Sequence, residues 1–466
     1  MSSPDPSFTY RNWAQTFECR PELYFEPETE DEVVALVKRA ADEGKVVKVF
    51  GAGHSPSDLP CSDGYMLNMD KMNKLIEIDT RTNTATFEAG VRLHEMHPIL
   101  RAQGLALSVL GAISEQSLAG AIATGTHGTG IQFGNLSSSV RYVRLVNGCG
   151  RVMDCSPAQN ADVFAAARCH IGALGIVTRV SIQCEPAFRL ESVQEPIEFE
   201  TMLDDMDQLV HAAQHTKFLW FPYSNKVVIS KLNRTDKPVL RPAEPWAITR
   251  LKDRYVYELE LYGTRFLPSF LPEVERWFWS KHYARRVHLV DDSNRVFNFD
   301  CMFRQYTNEW AIPIEHTAAA IRDLNAVLAN ARYPIHFPIE IRFVRRDDVW
   351  LSPSYGRDVC YIGVVMYKPF NKNVPYRNFW LDFERVMKSH DGRPHWAKYH
   401  LMSYEDLARV YPRLDDFLAV RRRLDPKNIF LNDYLKRHLL PGGKPEIPED
   451  PKIQGQFANR PLKSKL

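Results

Sequence analysis

Residues 29–57, TEDEVVALVKRAADEGKVVKVFGAGHSPS, decide how the rest of this 466-residue chain is read. Thr29 is a helix-capping residue, and Glu32 three positions later completes the pattern of a capping box. Val33, Val34, Leu36, Val37 and Ala40 recur at helical spacing, and Gly44 suits a helix end. KVVKVF reads as a strand, with Gly51, Ala52 and Gly53 at its end. A dinucleotide fold runs strand, glycine loop, helix. Here the helix comes first, Pro56 stands where a third glycine belongs, and Pro60 blocks a smooth helix start. No G-K-[ST] closes the loop, so a P-loop is excluded as well. Converging backbone N–H groups with the hydroxyls of Ser55 and Ser57 still suit an oxyanion. The loop also places an imidazole, His54, where small residues are needed; a structural histidine bonded to a loop carbonyl is the plain reading.

A second glycine-rich segment, Gly111–Gly130 (GAISEQSLAGAIATGTHGTG), repeats these features with Ser114, Ser117, Gly120, Thr124, Thr126, Gly128 and Gly130. Two such segments in one domain suggest a long cofactor lying between them; a pair of tight turns is the alternative. Short strands are expected at 65–70, 75–79 and 85–89, then a hairpin turning at Asn147-Gly148 or Gly150. A helix, glycine turn and strand over 160–186 close one α+β domain near residue 186. Aromatic content then rises. KFLWFPYSNKVVISK alternates like strand, whereas RWFWSKHYARR reads as helix, which predicts a second domain of sheet and covering helices. From Pro441 the proline- and lysine-rich composition predicts a disordered tail.

Bulk properties exclude several classes. With 59 basic and 57 acidic residues, and no basic run, there is no electrostatic case for nucleic acid. Eight scattered cysteines form no CxxC pair, so neither a zinc site nor a thioredoxin motif is supported, and free thiols are expected. No signal-peptide layout and no membrane-spanning apolar run is found. His94 to His97 (HEMH) lacks the i, i+4 histidines of a zinc helix, and no metal is expected. The last residues, Ser464, Lys465 and Leu466, read as a peroxisomal address for an import receptor, with cytoplasm or mitochondrial association as the alternative.

VFGAGHSPSD, GAISEQSLAGAIATGTHGTG, GALGIVT, EWAIPIE, IEIRFVRRDDVWLSPSYGRD, HWAKYH and DPKNIFLNDYL follow one another between Trp13 and Leu440. Together they resemble the aldonolactone oxidases of the vanillyl-alcohol-oxidase type, the fungal D-arabinono-1,4-lactone oxidases most, with the animal L-gulono-1,4-lactone oxidases close by. The resemblance implies an α+β fold: an FAD-binding domain over 1–186, an antiparallel-sheet cap over 187–395, and a segment over 396–440 that completes the FAD site, followed by the tail 441–466. It implies FAD joined through its 8α-methyl carbon to His54. By the same resemblance the cofactor is held by Gly51, Ala52, Gly53, Ser55, Pro56, Ser57, Gly111, Ser114, Ser117, Gly120, Thr124, His127, Gly128, Gly130, Gly172, Gly175, Ile176 and Lys398. Gly111 matches the oxidases, in which glycine leaves room for oxygen.

PIEIRF supplies the second site. Side chains i and i+2 of a strand share a face, so Glu340 and Arg342 project together, away from Ile339, Ile341 and Phe343. An ion pair within a sheet is the plain reading. The resemblance gives Arg342 the task of supporting negative charge on the reduced flavin and the substrate oxygen. Glu340 binds sugar hydroxyls or helps remove the C2 hydroxyl proton, and Lys398 lies near the flavin N1–C2 edge; His395 is left open between a ligand contact and a capping role. Gly363, Val365 and Ala112 stand where alditol oxidases have polar residues, which favours a compact lactone ring over a linear polyol. The implied reaction passes a C2 hydride to flavin N5, reduces O2 to H2O2 and gives an ascorbate-type enediol lactone. Alternatives are an oxidase of gluconolactone or an alditol, and a lactone dehydrogenase with a protein acceptor. RFLPSFLPEVERWFWSK reads as cap-domain core, with peripheral contact to a membrane surface as its alternative.

Overall fold

The computed structural model describes residues 5–241, 245–299 and 301–450; of 245–252 only the helical backbone is described. The helix spans Glu30–Glu43, and Thr29 caps it by accepting from Glu32 N. Only half of the expected capping box forms, because the Glu32 carboxylate accepts from Glu28 N at 2.9 Å, one residue before the cap. Val33, Leu36, Val37 and Ala40 are buried, and Gly44 ends the helix at φ +65°, where glycine has no Cβ penalty. The helix packs on a small parallel sheet ordered Leu23–Phe25, Tyr65–Asn68, Val47–Phe50.

Beside it lies a five-stranded antiparallel sheet ordered Val152–Cys155, Val140–Val146, Ile176–Gln183, Thr84–Glu88, Leu75–Asp79. The expected hairpin turns over residues 147–151, where Asn147 and Arg151 pair and Gly150 takes φ +69°. All strands of both sheets fall within residues 23–183.

Residues 189–394 supply a separate eight-stranded sheet. Its order is Val287–Asp292, Arg189–Glu198, Lys226–Thr235, His215–Phe221, Ile339–Val344, Val359–Tyr367, Gln305–Pro313 and Arg393–Pro394. One face is apolar: Trp220, Ile229, Ile339, Ile341, Ile362 and Trp310 pack with the helices Thr317–Ala329 and Arg377–Ser389. The opposite face is shared between the first domain and an aromatic cluster. Tyr257 and Leu261 from Pro245–Thr264 and Phe278 and Trp279 from Leu271–His282 cover Phe221, Val228 and Tyr367 there. The aromatic stretch is therefore cap core along one side, while Phe266, Leu267 and Phe270 remain exposed. No helix among the described residues is long and apolar enough to cross a membrane.

Backbone and side chains both bridge the small sheets and the large one. Gly130 N donates to Phe343 O at 2.7 Å, and Arg168 Nη1 meets Asp348 Oδ1 at 2.8 Å. The chain then returns to the first domain. Asn432 donates to Leu59 O and Cys61 O, and Arg437 to both oxygens of Asp58. The start of the expected tail is packed: Ile447 is buried, and Asp450 accepts from Tyr376 N and Arg377 N at the head of a helix. Residues 451–466, including the terminal Ser-Lys-Leu, lie outside the described residues.

Candidate active site

The two glycine segments meet. A Cβ on Gly51 would overlap the side chain of Ser117, so only glycine allows the loops to close on one another. Between them runs a cleft lined by Gly51, Ala52, Gly53, His54, Ser55, Ser117, Gly120, Thr124, Gly172, Gly175 and Ile176. These eleven were expected at the cofactor. Gly53 and Gly172 sit at φ +65°, turning their peptide groups as a side-chain-bearing residue would rarely do.

Other expected cofactor residues face elsewhere. Pro56 does not line the cleft, and Ser57 is buried behind it, its Oγ 3.5 Å from Leu59 N. Ser114 turns to His97 and Asn298, at 2.9 and 2.6 Å. Gly128 and Gly130 serve packing: a Cβ on Gly128 would stand 2.5 Å from Leu110 O, and one on Gly130 2.7 Å from Gln214 O. Gly111 accepts from Asn298 Nδ2 at the domain junction, with the methyl of Thr126 2.9 Å from where its Cβ would be. His127 belongs to the cap-facing network described below.

Lys48, His170, Gln116 and Phe430 also line the cleft and were not anticipated. Lys48 is buried on its strand with Nζ on Gly172 O at 3.0 Å; burial pushes its ammonium down to about 7, against the pull of Asp425. His170 is held neutral, its pKa pushed down to about 3 by burial and the charge of Lys48. Its Nδ1 accepts from Gly172 N, while Nε2 is buried without a partner, as is Gln116 Oε1. Orphaned polar atoms beside glycine backbone fit a long, polar, phosphate-bearing group such as FAD. His54 stacks on Trp13 with ring centres 5.3 Å apart. Burial lowers its pKa, the charges of Arg92 and Lys398 add to this, and Glu115 opposes them.

The large sheet supplies the second half of the site. Glu340 and Arg342 share a face of Ile339–Val344, as their spacing predicts. Arg342, however, is held chiefly by a residue the sequence reading did not single out. Its Nη2 lies 2.5 Å from Glu309 Oε1 and 3.5 Å from Glu340 Oε2. Glu309 reaches this position because its strand pairs with Val359–Tyr367 at Gly363, which pairs in turn with Glu340. Gly363 leaves open the space between the two carboxylates. Val365 packs against the aromatic cluster.

Glu309 is the hub. Lys398 Nζ approaches its Oε2 at 3.7 Å, and His127 Nε2 its Oε1 at 3.2 Å. Burial raises the Glu309 carboxyl, but the charges of Arg342 and Lys398, with the His127 imidazole beside it, outweigh this and hold it well below the usual carboxylate range. Burial works against Arg342 too, and Glu340 and Glu309 overcome it, so its pKa is raised. His127 stacks on Tyr361 at 3.4 Å and is kept neutral by burial and Arg342. His395 fixes the following turn: its N donates to Glu309 O, and its O accepts from Lys398 N. His127, Glu309 and His395 offer ligand atoms within 4.8 Å of one another, but two cations already occupy this carboxylate.

The fold is that of the vanillyl-alcohol-oxidase-type FAD-binding proteins. Cholesterol oxidase from B. sterolicum has this architecture, superposing at TM-score 0.76 over 94% of this chain and 99% of its own, with 17% identity. A family model described as FAD binding domain matches residues 21–156, and one described as D-arabinono-1,4-lactone oxidase matches 180–438. The chain belongs to the D-arabinono-1,4-lactone oxidase family. It is 40% identical to an L-gulonolactone oxidase of Scyliorhinus torazame, over 94% of this chain and 99% of that one. To a D-arabinono-1,4-lactone oxidase of Candida glabrata it is 33% identical, over 91% and 95%. The animal enzyme thus stands nearer than this fungal one, the reverse of the order expected from the motifs. An L-gulono-1,4-lactone dehydrogenase of Mycobacterium tuberculosis is 34% identical over 93% and 99%.

Proposed function

We propose that this protein is an FAD-dependent oxidase of aldono-1,4-lactones. The observation that carries the reading is Arg342, buried between Glu309 and Glu340 on the charged face of the sheet, in a chain alike to lactone oxidases over nearly all its length. When bound, FAD supplies the hydride acceptor and passes the electron pair on to oxygen. The lactone's C2–H leaves as hydride and its C2 hydroxyl loses a proton, giving a 2-keto-lactone that enolises to an ascorbate-type enediol.

Arg342 supports negative charge developing on the C2 oxygen. Glu340 Oε1, buried without a partner, accepts from a sugar hydroxyl or takes the C2 proton. Lys398 adds positive charge where the cleft meets the sheet. His54, neutral and in the cleft, is the residue to which FAD is covalently joined. Oxygen as acceptor, with hydrogen peroxide as product, rests on the oxidase relatives; the mycobacterial dehydrogenase makes a protein acceptor the rival reading. Peroxisomal delivery is proposed on Ser464, Lys465 and Leu466.

A panel of L-gulono-, L-galactono-, D-arabinono- and D-glucono-lactones and an alditol, assayed for peroxide, tests the substrate class. The reading expects 1,4-lactones to dominate; preferred oxidation of the alditol would overturn it. Acid precipitation of the purified protein tests the tether: flavin is expected in the washed pellet, and His54→Ala should move it to the supernatant.

A further inference from the structure

The charged face of the large sheet continues beyond Glu340 and Arg342. Cross-strand register sets Ser230, Lys217, Arg342 and Tyr361 opposite one another on neighbouring strands, so their side chains leave the same face in one row. Leu219, Glu340, Gly363 and Glu309 form the next row. Lys217 stands one strand from the Glu340–Arg342 pair, on the side away from Glu309 and Lys398. Its ammonium lies 4.7 Å from the centre of the Phe299 ring. Among the described residues it has no hydrogen-bond acceptor and no ion-pair partner.

Lys217 is half-buried, so part of the hydrogen-bonding capacity of its three donors is left to solvent or a ligand. Burial lowers its pKa, Glu340 pulls it up and Arg342 pushes it down. Its cross-strand neighbour Ser230 is 1% exposed, and Ser230 Oγ likewise has no partner. Ser230 Oγ and Glu340 Oε1 are buried without a partner, and the ammonium of half-buried Lys217 beside them meets no protein acceptor among the described residues. That set complements a polyhydroxylated ligand, whose oxygens accept from the lysine and whose hydroxyls donate to the carboxylate. Adjacent strands lie about 4.8 Å apart, roughly the distance from a reacting ring carbon to a substituent across the ring.

We propose that Lys217, with Ser230 beside it, is a substrate-binding subsite for the hydroxylated exocyclic tail of the lactone, and that it sets preference among lactones by that tail. The assignment rests on the lactone-oxidase reading. It goes beyond that reading in giving the tail its own recognition group, remote from the reacting carbon.

The test compares wild type, Lys217→Met, Lys217→Arg and Ser230→Ala, each checked for FAD content and melting temperature. Substrates are L-gulono-1,4-lactone and D-arabinono-1,4-lactone, which carry a tail, and erythrono-1,4-lactone, which does not. Lys217→Met should lose about 10- to 100-fold in kcat/KM on the tailed lactones, through KM, and little on erythronolactone. Lys217→Arg should recover part of the loss, and Ser230→Ala should show a smaller loss of the same kind. Equal losses on all three lactones, or none on any, would overturn the subsite. Should wild type oxidise no lactone, the activity reading fails separately. The subsite is then judged by calorimetric binding of the same three lactones: tail-dependent binding lost in Lys217→Met supports it, and unchanged binding overturns it.

Discussion

Glu309 has the most to lose at the scale of single residues. It is one carboxylate serving two cations and an imidazole in a buried setting, and removing its charge leaves Arg342 and Lys398 underpartnered. Glu309→Gln keeps the shape and a hydrogen-bond acceptor. It should lower kcat by about 10- to 1,000-fold with a much smaller change in KM, since the cations are needed most where charge develops. Steady-state kinetics on the preferred lactone check this; a pure KM effect would assign Glu309 to ground-state binding. Glu340 and Arg342 were legible in sequence because an i, i+2 pair on a strand faces one way. Glu309 was not, because its place depends on two strand pairings between segments far apart in the chain, which no local pattern records.

At the scale of elements, the C-terminal segment fastens the glycine loop. Asn432 caps Asp433–Leu439 by accepting from Leu435 N, and its amide donates to Leu59 O and Cys61 O just after that loop. Asn432→Ala should cost about 1–3 kcal/mol, by losing a cap and orphaning buried carbonyls, and should loosen FAD retention. Denaturant unfolding of the FAD-loaded protein and flavin release on gel filtration read the two effects. Gly51→Ala should be more severe for cofactor content, since its Cβ must displace Ser117 by more than a side-chain rotation allows. Flavin absorbance per protein after purification is the measure. Helix Glu30–Glu43 was readable to its caps, yet the direction of Ser114, Gly128 and Gly130 was not. A glycine or serine in a rich segment carries no sign of which side its neighbour packs on, and here the cap domain decides.

At the scale of the whole molecule, buried neutral histidines set the acid limit. Burial pushes His97, His215 and His438 down to about 4, and His170 and His336 to about 3. Unfolded, each would titrate near about 6.5. Between these values the unfolded chain binds more protons, so stability rises with pH there. The contribution is fully present above about 6.5 and is lost as pH falls from there towards 4 and 3. Glu309, held well below the carboxylate range, acts in the same direction further into acid. Melting temperature should therefore fall steadily from about pH 7 to about pH 4, and His336→Gln should flatten part of that slope. The passage from the three- and five-stranded sheets, which end at Gln183, to the large sheet, which begins at Arg189, coincides with a composition change near residue 186. The parallel three-stranded sheet was not visible in sequence, because its pairing joins strands separated by a helix.

Lactone oxidation is read most directly by mixing the purified, FAD-loaded protein with L-gulono-1,4-lactone or D-arabinono-1,4-lactone without oxygen, then admitting air. The flavin absorbance should bleach with the lactone alone and return with air, releasing one hydrogen peroxide per flavin. Bleaching that air fails to reverse would contradict an oxidase and leave a dehydrogenase; no bleaching by either lactone would contradict the assignment of the charged sheet face to lactone oxidation.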